Sequence, residues 1–568
     1  MNWPGLLKTA RGEEPADLVL KGGRIVNVFT GEIERADLAV RDGLIAGLGR
    51  YGGRVEIDVS GAWLAPGFMD PHLHLESTML TPPRLAEVLA ARGTTTVVAD
   101  PHEIANVLGL DGIRYLIEAS AGLPVDFFFM APSCVPATHM ETSGAVLGAD
   151  DLATLLDEPR VLGLAEVMNF PGVINGLPDV LDKLARFAGR PLDGHAPLLS
   201  GRDLCAYVSP GIRTEHECTR LEEAREKLAR GMRIFIREGS QAKNMEELLP
   251  LVNGHNMRRM AFCTDDRHPD DLLAKGHLDH ILRRAVSLGL PAVSALTMST
   301  LNVAEAFGLR GHGALAPGYQ ADVVVLGSLE DFEILRVFKR GREVAAEGRI
   351  LAPCRSVSIP DWASPMRIAG LDTGRFELSA AGPRVRVIEL IEGQILTGSL
   401  EVEAPQAGGK LRADPERDLA RLVVVERHQG KGNIGHGLVK GFGLRQGALA
   451  SSVAHDSHNV ICAGIEPEDM CLAVESVARM GGGLAVTAGG RVLAELPLPL
   501  AGLMSPGAAA EVSSAYQRVK NATRETGCRQ NDPFMVLSFL ALPVIPSLKL
   551  TDKGLVDVNR FEFVPLFL

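Results

Sequence analysis

The chain has 568 residues, which is too long for one hydrophobic core and predicts two to four domains. It is 46% hydrophobic and 23% charged, an ordinary globular composition. The formal net charge of -12 argues against nucleic acid as a partner, because binding phosphates requires surplus Lys and Arg.

We expect neither a signal peptide at the N-terminus nor a membrane-spanning helix near the other end. The N-terminus lacks a charged segment followed by an apolar core. The uncharged run 533–548 is interrupted by Pro543 and Pro546 and is shorter than the roughly 20 residues of a spanning helix, so we expect core strand and turn there. The eight cysteines are scattered without a CxxC motif, as in reduced proteins. We therefore predict a cytoplasmic protein without a membrane partner.

The first predicted elements are short β-branched runs broken by glycine. They occupy 17–28 and 37–47, and a similar pattern returns at 321–326 and 337–344. Runs of this kind are typical of hairpins. Because the two sets flank a long α/β segment, we predict one small β-sandwich domain built from residues 1–65 and 306–356.

Between these flanks, over residues 66–305, strand-like and helical runs alternate eight times. Eight β/α units in about 240 residues match a (β/α)8 TIM-like barrel, whose chemistry lies at the C-terminal ends of its strands. The fold class is therefore α/β. The predicted strands are the run that ends at His72-Leu73-His74 and the runs 94–100, 125–130, 161–166, 192–195, 213–216, 233–238 and 260–265.

Most of these strands end in a histidine or a carboxylate. His72 and His74 are two residues apart on a strand, so both side chains point to the same face and can converge on one ion. An isolated His-x-His more often belongs to a polar core, but the other strand ends favour ligands. The residues at the strand ends are His72, His74, Asp100, Glu166, His195, His216, Glu238 and Asp265.

This set is large enough for two divalent ions that share one bridging ligand. Histidine and carboxylate ligands suit Zn, Fe(II), Mn or Co, so the set does not fix the metal. Water held between two cations has a lowered pKa, and an adjacent Asp can accept its proton. The pattern predicts metal-assisted hydrolysis.

After a proline-rich connector the regular alternation of strand-like and helical runs ends. We predict a separate C-terminal α+β domain over 357–568. Its strands are expected at 384–389, 422–426 and 447–453, with a helix at 468–479. The polar segment 454–459 lies between two apolar runs. We expect it to approach the barrel mouth and help enclose substrate through His455 and His458. The alternative is a structural loop held by its own hydrogen bonds.

Segments 66–74 and 302–325 resemble the opening and closing motifs of the amidohydrolase superfamily. Within it, the chain is similar over nearly its full length to the bacterial adenine deaminase family. The motifs that carry this resemblance are 74–80, 99–107, 164–169, 193–197, 215–217, 237–240 and 263–269. The resemblance implies hydrolytic deamination of adenine to hypoxanthine and ammonia by a metal-activated hydroxide, a reaction of purine salvage.

The resemblance also implies roles for individual residues. Two divalent ions per subunit, Mn or Fe in preference to Zn, would be held by His72, His74, Glu166, His195, His216 and Asp265. Glu166 stands where many superfamily members carry a carboxylated lysine, and would bridge the ions. Asp265 would accept the proton. Glu238 is a further catalytic candidate, as a proton donor to the purine, although a salt bridge in the barrel mouth fits equally well.

Six residues are predicted to bind substrate: Glu76, Asp100, His102, Arg237, His455 and His458. Adenine is the expected small-molecule partner, and a homo-oligomer, dimeric or larger, is the expected assembly. One alternative is an amidohydrolase acting on a cyclic amide, like dihydroorotase or hydantoinase, but these usually have the lysine bridge and lack the long C-terminal domain. Another is a non-catalytic paralogue, which would have lost ligands.

Overall fold

The structure is a computed structural model that describes residues 2–392 and 394–568. Three large sheet systems organise the described residues. Strands from both flanks of the barrel form a nine-stranded sheet, eight parallel strands form the barrel, and the C-terminal part contains an eight-stranded sheet. This agrees with the predicted α/β barrel and its α+β companion. The exact domain boundaries stay a prediction.

The nine-stranded sheet joins the two ends of the barrel segment, because Val323–Leu326 pairs antiparallel with Trp63–Pro66. The glycine pair within the run 17–28 marks a bulge, because the register shifts between Leu20 and Gly23 within one strand. The helix Trp3–Ala10 precedes the sheet. The strands are Ala16–Val26, Ile33–Arg41, Leu44–Gly49, Gly53–Asp58, Trp63–Pro66, Val323–Leu326, Ile334–Lys339, Arg342–Ala346 and Arg349–Ile350.

All eight predicted barrel strands are present. They are Phe68–Leu73, Thr94–Ala99, Asp126–Ala131, Val161–Val167, Leu192–Gly194, Thr214–Glu215, Arg233–Arg237 and Met260–Cys263. The first five and the last three form separate parallel ladders, so regular pairing closes the barrel only in part. Isolated backbone hydrogen bonds cross the two seams. At one seam Arg213 N–H donates to the Leu192 carbonyl at 3.1 Å. At the other, Asp265 N–H donates to the His72 carbonyl at 3.0 Å, and His74 N–H donates to the Asp265 carbonyl at 3.2 Å.

Apolar side chains fill the lower barrel, among them Met69, Val98, Met130, Ala165 and Phe235. Strands buried on both faces, such as Thr94–Ala99, explain the continuous apolar runs in the sequence. The filled interior leaves the C-terminal strand ends as the open mouth. The surrounding α-helices are Pro82–Ala91, His102–Ala119, Ala149–Ala153, Phe170–Ile174, Pro178–Arg186, Gly201–Val208, Leu221–Ala229, Met245–Leu248, Pro269–Ala274, Leu278–Ser287, Ala292–Met298 and Leu301–Phe307.

The C-terminal part contains the predicted strands and helix. Its large sheet has the order Thr397–Glu403, Arg384–Leu390, Ile434–Lys440, Leu419–Val425, Val460–Gly464, Ala448–Ser451, Gly483–Ala488 and Arg491–Pro497. The helices are Pro467–Arg479, Ala509–Glu525 and Pro533–Phe539. Smaller sheets contain Gln406–Ala407 with Lys410–Leu411, and Leu548–Thr551 with Gly554–Asp557 and Glu562–Phe563.

One prediction in this part is wrong. The run 533–548 begins as a helix rather than a strand, because Asp532 caps it by accepting the Met535 N–H at 3.2 Å. Within residues 2–392 and 394–568, the structure has no helix that is both long and apolar enough to span a membrane.

Candidate active site

The six predicted metal ligands converge at the barrel mouth. His72, His74 and Asp265 form one trio, whose ligand atoms lie within 4.8 Å of one another. Glu166, His195 and His216 form a second trio by the same measure. Five strand ends supply these residues, which shows why side chains about 190 positions apart in sequence meet at one place.

Glu166 lies between the two trios. Its Oε1 atom is 3.4 Å from His74 Nε2, while its Oε2 atom is 2.6 Å from His195 Nδ1 and 3.3 Å from His216 Nε2. One carboxylate therefore faces both halves of the cluster, as a bridging ligand must.

The backbone and a second carboxylate orient the two histidines of the first strand. His72 Nδ1 donates to Asp193 Oδ2 at 3.1 Å, and His74 Nδ1 donates to the Asp100 carbonyl at 3.1 Å. Both bonds leave Nε2 free to face the cluster. Asp193 was not predicted, although its position two residues before His195 in a strand-end motif offered a signal.

Several nitrogens in this cluster lack hydrogen-bond partners among the described residues. His72 Nε2 and both ring nitrogens of His216 are buried and have no hydrogen-bond partner there. Each unpaired group costs about 1–3 kcal/mol unless a ligand satisfies it. Four imidazoles and two carboxylates are a donor set that suits divalent transition metals. The residues therefore fit a divalent metal centre.

The charge balance of the cluster also favours cations. Burial would raise the pKa of Glu166, but His195 and His216 hold it well below its usual range. Burial likewise opposes ionisation of Asp265, but Arg237 holds the pKa of that carboxyl well below normal. Both carboxylates are thus ionised near neutral pH. Divalent ions would replace the protons that otherwise balance this charge on the imidazoles.

The seventh barrel strand supplies an arginine rather than the expected catalytic glutamate. Arg237 forms ion pairs with Asp265 and with both oxygens of Glu217. Side chains alternate along a strand, so Glu238 points away from the mouth, where its Oε1 lies 2.9 Å from Arg284 Nη1. The expectation that Glu238 acts in catalysis is therefore corrected. Glu217 was missed, although it follows His216 directly.

Two of the predicted substrate residues at the first two strand ends, His102 and Glu76, differ in their position relative to the cavity. His102 lines the cavity, with Nδ1 3.3 Å from Asp100 Oδ2 and 3.5 Å from Glu166 Oε1. Glu76 instead accepts the Ile104 N–H at 3.0 Å, in the first turn of the helix His102–Ala119. One oxygen of its carboxylate thus satisfies a free amide of the helix end. Glu76 is not among the residues that line the cavity, so the structure gives no support for its predicted contact with substrate.

The segment 454–459 reaches the mouth of its own barrel. His455 and Asp456 line the cavity, and the His455 ring stacks on Phe539 with centroids 4.7 Å apart. His458 is completely buried and accepts the Ala454 N–H on Nδ1 at 3.1 Å. The structural-loop alternative therefore holds for His458, and its predicted contact with substrate is corrected.

Glu103, His455 and His458 form a second group of possible metal ligands. The hydrogen bond from Ala454 N–H to His458 Nδ1 decides whether this group can bind a metal. An amide that donates to Nδ1 leaves the proton of a neutral imidazole on Nε2. In His458 this Nε2 faces Glu103 at 3.8 Å, so it presents a proton rather than a lone pair. This group is therefore a poor metal site.

The barrel mouth and the C-terminal part together enclose a cavity of about 2350 Å³. Its walls include His74, Glu166 and Asp265 on one side and His455 and Phe539 on the other. A barrel with this strand-end donor set defines a metal-dependent hydrolase of the amidohydrolase class.

Comparison with known proteins narrows this class. The profile "Amidohydrolase family" matches residues 63–344, and "Adenine deaminase C-terminal domain" matches 394–562. Adenine deaminase of Desulfatibacillum aliphaticivorans is 50% identical over 566 residues, covering 99% of each chain. Adenine deaminase 2 of Carboxydothermus hydrogenoformans is 49% identical over 564 residues, again covering 99% of each. The chain belongs to the adenine deaminase family.

Among solved structures, molinate hydrolase is similar to this chain with a TM-score of 0.46 and 16% identity. The match covers 61% of this chain and 100% of that one.

Proposed function

We propose that this protein hydrolyses adenine to hypoxanthine and ammonia. The observation that carries the proposal is Glu166, which faces both ligand trios in a chain about half identical to adenine deaminases along its whole length. Hydrolases of cyclic amides usually have a lysine bridge, and a non-catalytic paralogue would have lost ligands. Neither alternative accounts for this glutamate and the complete cluster.

Two divalent ions are proposed at the cluster, with Mn or Fe favoured over Zn. His72, His74 and Asp265 would hold one, His195 and His216 the other, and Glu166 both. Such ions, when bound, lower the pKa of coordinated water and polarise the substrate.

Asp265 is proposed to move the proton. Its Oδ1 faces His74 Nε2 at 3.0 Å, while Arg237 binds Oδ2. Arg237 therefore fixes the orientation of the carboxylate and keeps it ionised, ready to accept a proton from water and deliver it to the leaving amino group. His102, 3.5 Å from Glu166, is proposed to contact substrate beside the cluster.

The C-terminal part is proposed to close the site. His455 and Phe539 form one wall, which excludes water from the reaction. The eight cysteines are all unpaired, in support of a reducing compartment such as the cytoplasm. A homo-oligomeric assembly stays a prediction.

The experiment is a substrate comparison with Mn-loaded protein. Adenine, dihydroorotate and hydantoin are supplied separately, and ammonia and hypoxanthine are measured. Ring-opened products of dihydroorotate and hydantoin are measured in the same reactions. Equal amounts of ammonia and hypoxanthine from adenine support the proposal. Ring opening of a cyclic amide, or no reaction with any substrate, contradicts it.

A further inference from the structure

Asp456 lines the cavity and has one carboxylate oxygen without a hydrogen-bond partner among the described residues. The residue is 3% exposed and lines the cavity wall opposite the barrel. Its Oδ1 lies 3.7 Å from His102 Nε2. Its Oδ2 is buried and has no hydrogen-bond partner in the described part of the chain. The proposed catalytic roles above make no use of this carboxylate.

The carboxyl group is ionised. Burial would raise its pKa, but His102 more than compensates and leaves the pKa of Asp456 below its usual value. A buried, charged oxygen without a donor is costly, and a ligand N–H at this position would remove that cost. The chemistry of Oδ2 therefore selects a ligand that carries a donor, not an acceptor.

The position of Asp456 relative to the cluster sets which part of a ligand it can meet. His102 lies between the two carboxylates, with Nε2 3.7 Å from Asp456 and Nδ1 3.5 Å from Glu166. The imidazole ring of His102 therefore separates Asp456 from Glu166, with one contact on each side of the ring. A flat ligand that reacts at the cluster and lies beside His102 would bring its far edge next to Asp456.

Adenine has a donor on that far edge. Its reacting carbon belongs to the six-membered ring, and the free base carries an N–H on the five-membered ring. Nucleosides and other N9-substituted adenines have lost the N9 proton and carry a bulky group there.

We propose that Asp456 is a specificity-determining residue that accepts the ring N–H of the free purine base and so discriminates against N9-substituted adenines. This inference rests on the proposed function and deepens it. A site that accepts a hydrogen bond from its ligand rejects analogues without the donor, because its own buried polar group is then left without a hydrogen-bond partner.

The test compares adenine with 9-methyladenine in the wild type, Asp456→Ala and Asp456→Asn, each with metal content measured. For adenine, kcat/KM should fall about 10- to 100-fold in Asp456→Ala, the size expected for a hydrogen bond to a charged group. For 9-methyladenine it should change by less than about threefold, so the preference for the free base collapses. Asp456→Asn should lie between the two. Ser457→Ala, in the same segment but outside the cavity wall, is the matched control and should keep the preference.

Two results overturn the inference. Equal losses for both substrates would mean that Asp456 only orients His102, and an unchanged preference would mean that it does not contact the base. If the wild type does not turn over adenine, the proposed function fails separately. Calorimetric binding of hypoxanthine and 9-methylhypoxanthine to the same variants then still decides whether Asp456 discriminates between them.

Discussion

Lys227 is a buried cation that contacts the sequence neighbours of His195 and His216. Its removal should therefore disturb the metal-ligand cluster indirectly. Its Nζ donates to the Ala196 carbonyl at 2.7 Å and lies 2.9 Å from Glu215 Oε2 and 2.8 Å from Glu223 Oε1. Glu215 in turn accepts the N–H groups of Ala196 and Glu217 at 3.1 and 2.7 Å. One ion pair thus fixes the backbone beside both histidines of the second ligand trio.

Lys227→Met should leave Glu215 buried without its cation. Burial raises the pKa of Glu215, yet Lys227 brings it down to about 2, so the carboxylate is charged at every ordinary pH. Removing one member of a buried pair costs about 3–5 kcal/mol. For a domain of this size, the melting temperature should fall by at least about 6 °C. Because His195 and His216 lose their support, metal content should fall as well.

The measurements are thermal unfolding and metal analysis of the wild type, Lys227→Met and the double variant Glu215→Gln/Lys227→Met. The double variant should recover part of the lost melting temperature, since it no longer buries an unpaired charge on Glu215. An exposed lysine, as in Lys8→Met, serves as control and should leave both quantities unchanged. A Lys227→Met protein with normal stability and metal content would refute this reasoning.

Three further predictions address the cluster and its wall. Glu166→Gln should reduce both the number of bound metals and the rate, and full occupancy of two metals with normal activity would contradict its bridging role. Asp265→Asn should lower kcat by about 10²- to 10⁴-fold while hypoxanthine still binds in calorimetry; near-normal turnover would exclude it as the proton acceptor. His455→Ala should raise KM without changing metal content, whereas the buried His458→Ala should lower the melting temperature, and identical effects of the two would contradict their different positions.

The barrel and the position of the histidines and carboxylates at its strand ends were predictable because local patterns determine them. Eight apolar runs of strand length, most of them ending in a histidine or carboxylate, fixed both the architecture and the side where chemistry occurs. His72 and His74 share a face because of the two-residue period of a strand. The same period explains the error at Glu238, since an inward Arg237 requires the next side chain to point outward.

Contacts between distant segments were not predictable from local patterns. Glu76 was expected to contact substrate because it follows His74 closely, but its partner is an amide of the next helix. Asp456 and Phe539 reach the cavity only because the C-terminal part packs over the barrel mouth. The periodicity of apolar residues in the sequence does not predict that packing. The segment 454–459 was identified by its composition, but which of its side chains face the cavity depends on the bond from Ala454 to His458.

Metal titration of the metal-free protein tests the central claim most directly. Mn is added in steps while adenine deamination and bound metal are measured in the same samples. The two-trio cluster centred on Glu166 predicts no activity without metal and a plateau at two bound ions per chain. A plateau at one ion, or deamination by the metal-free protein, would contradict it.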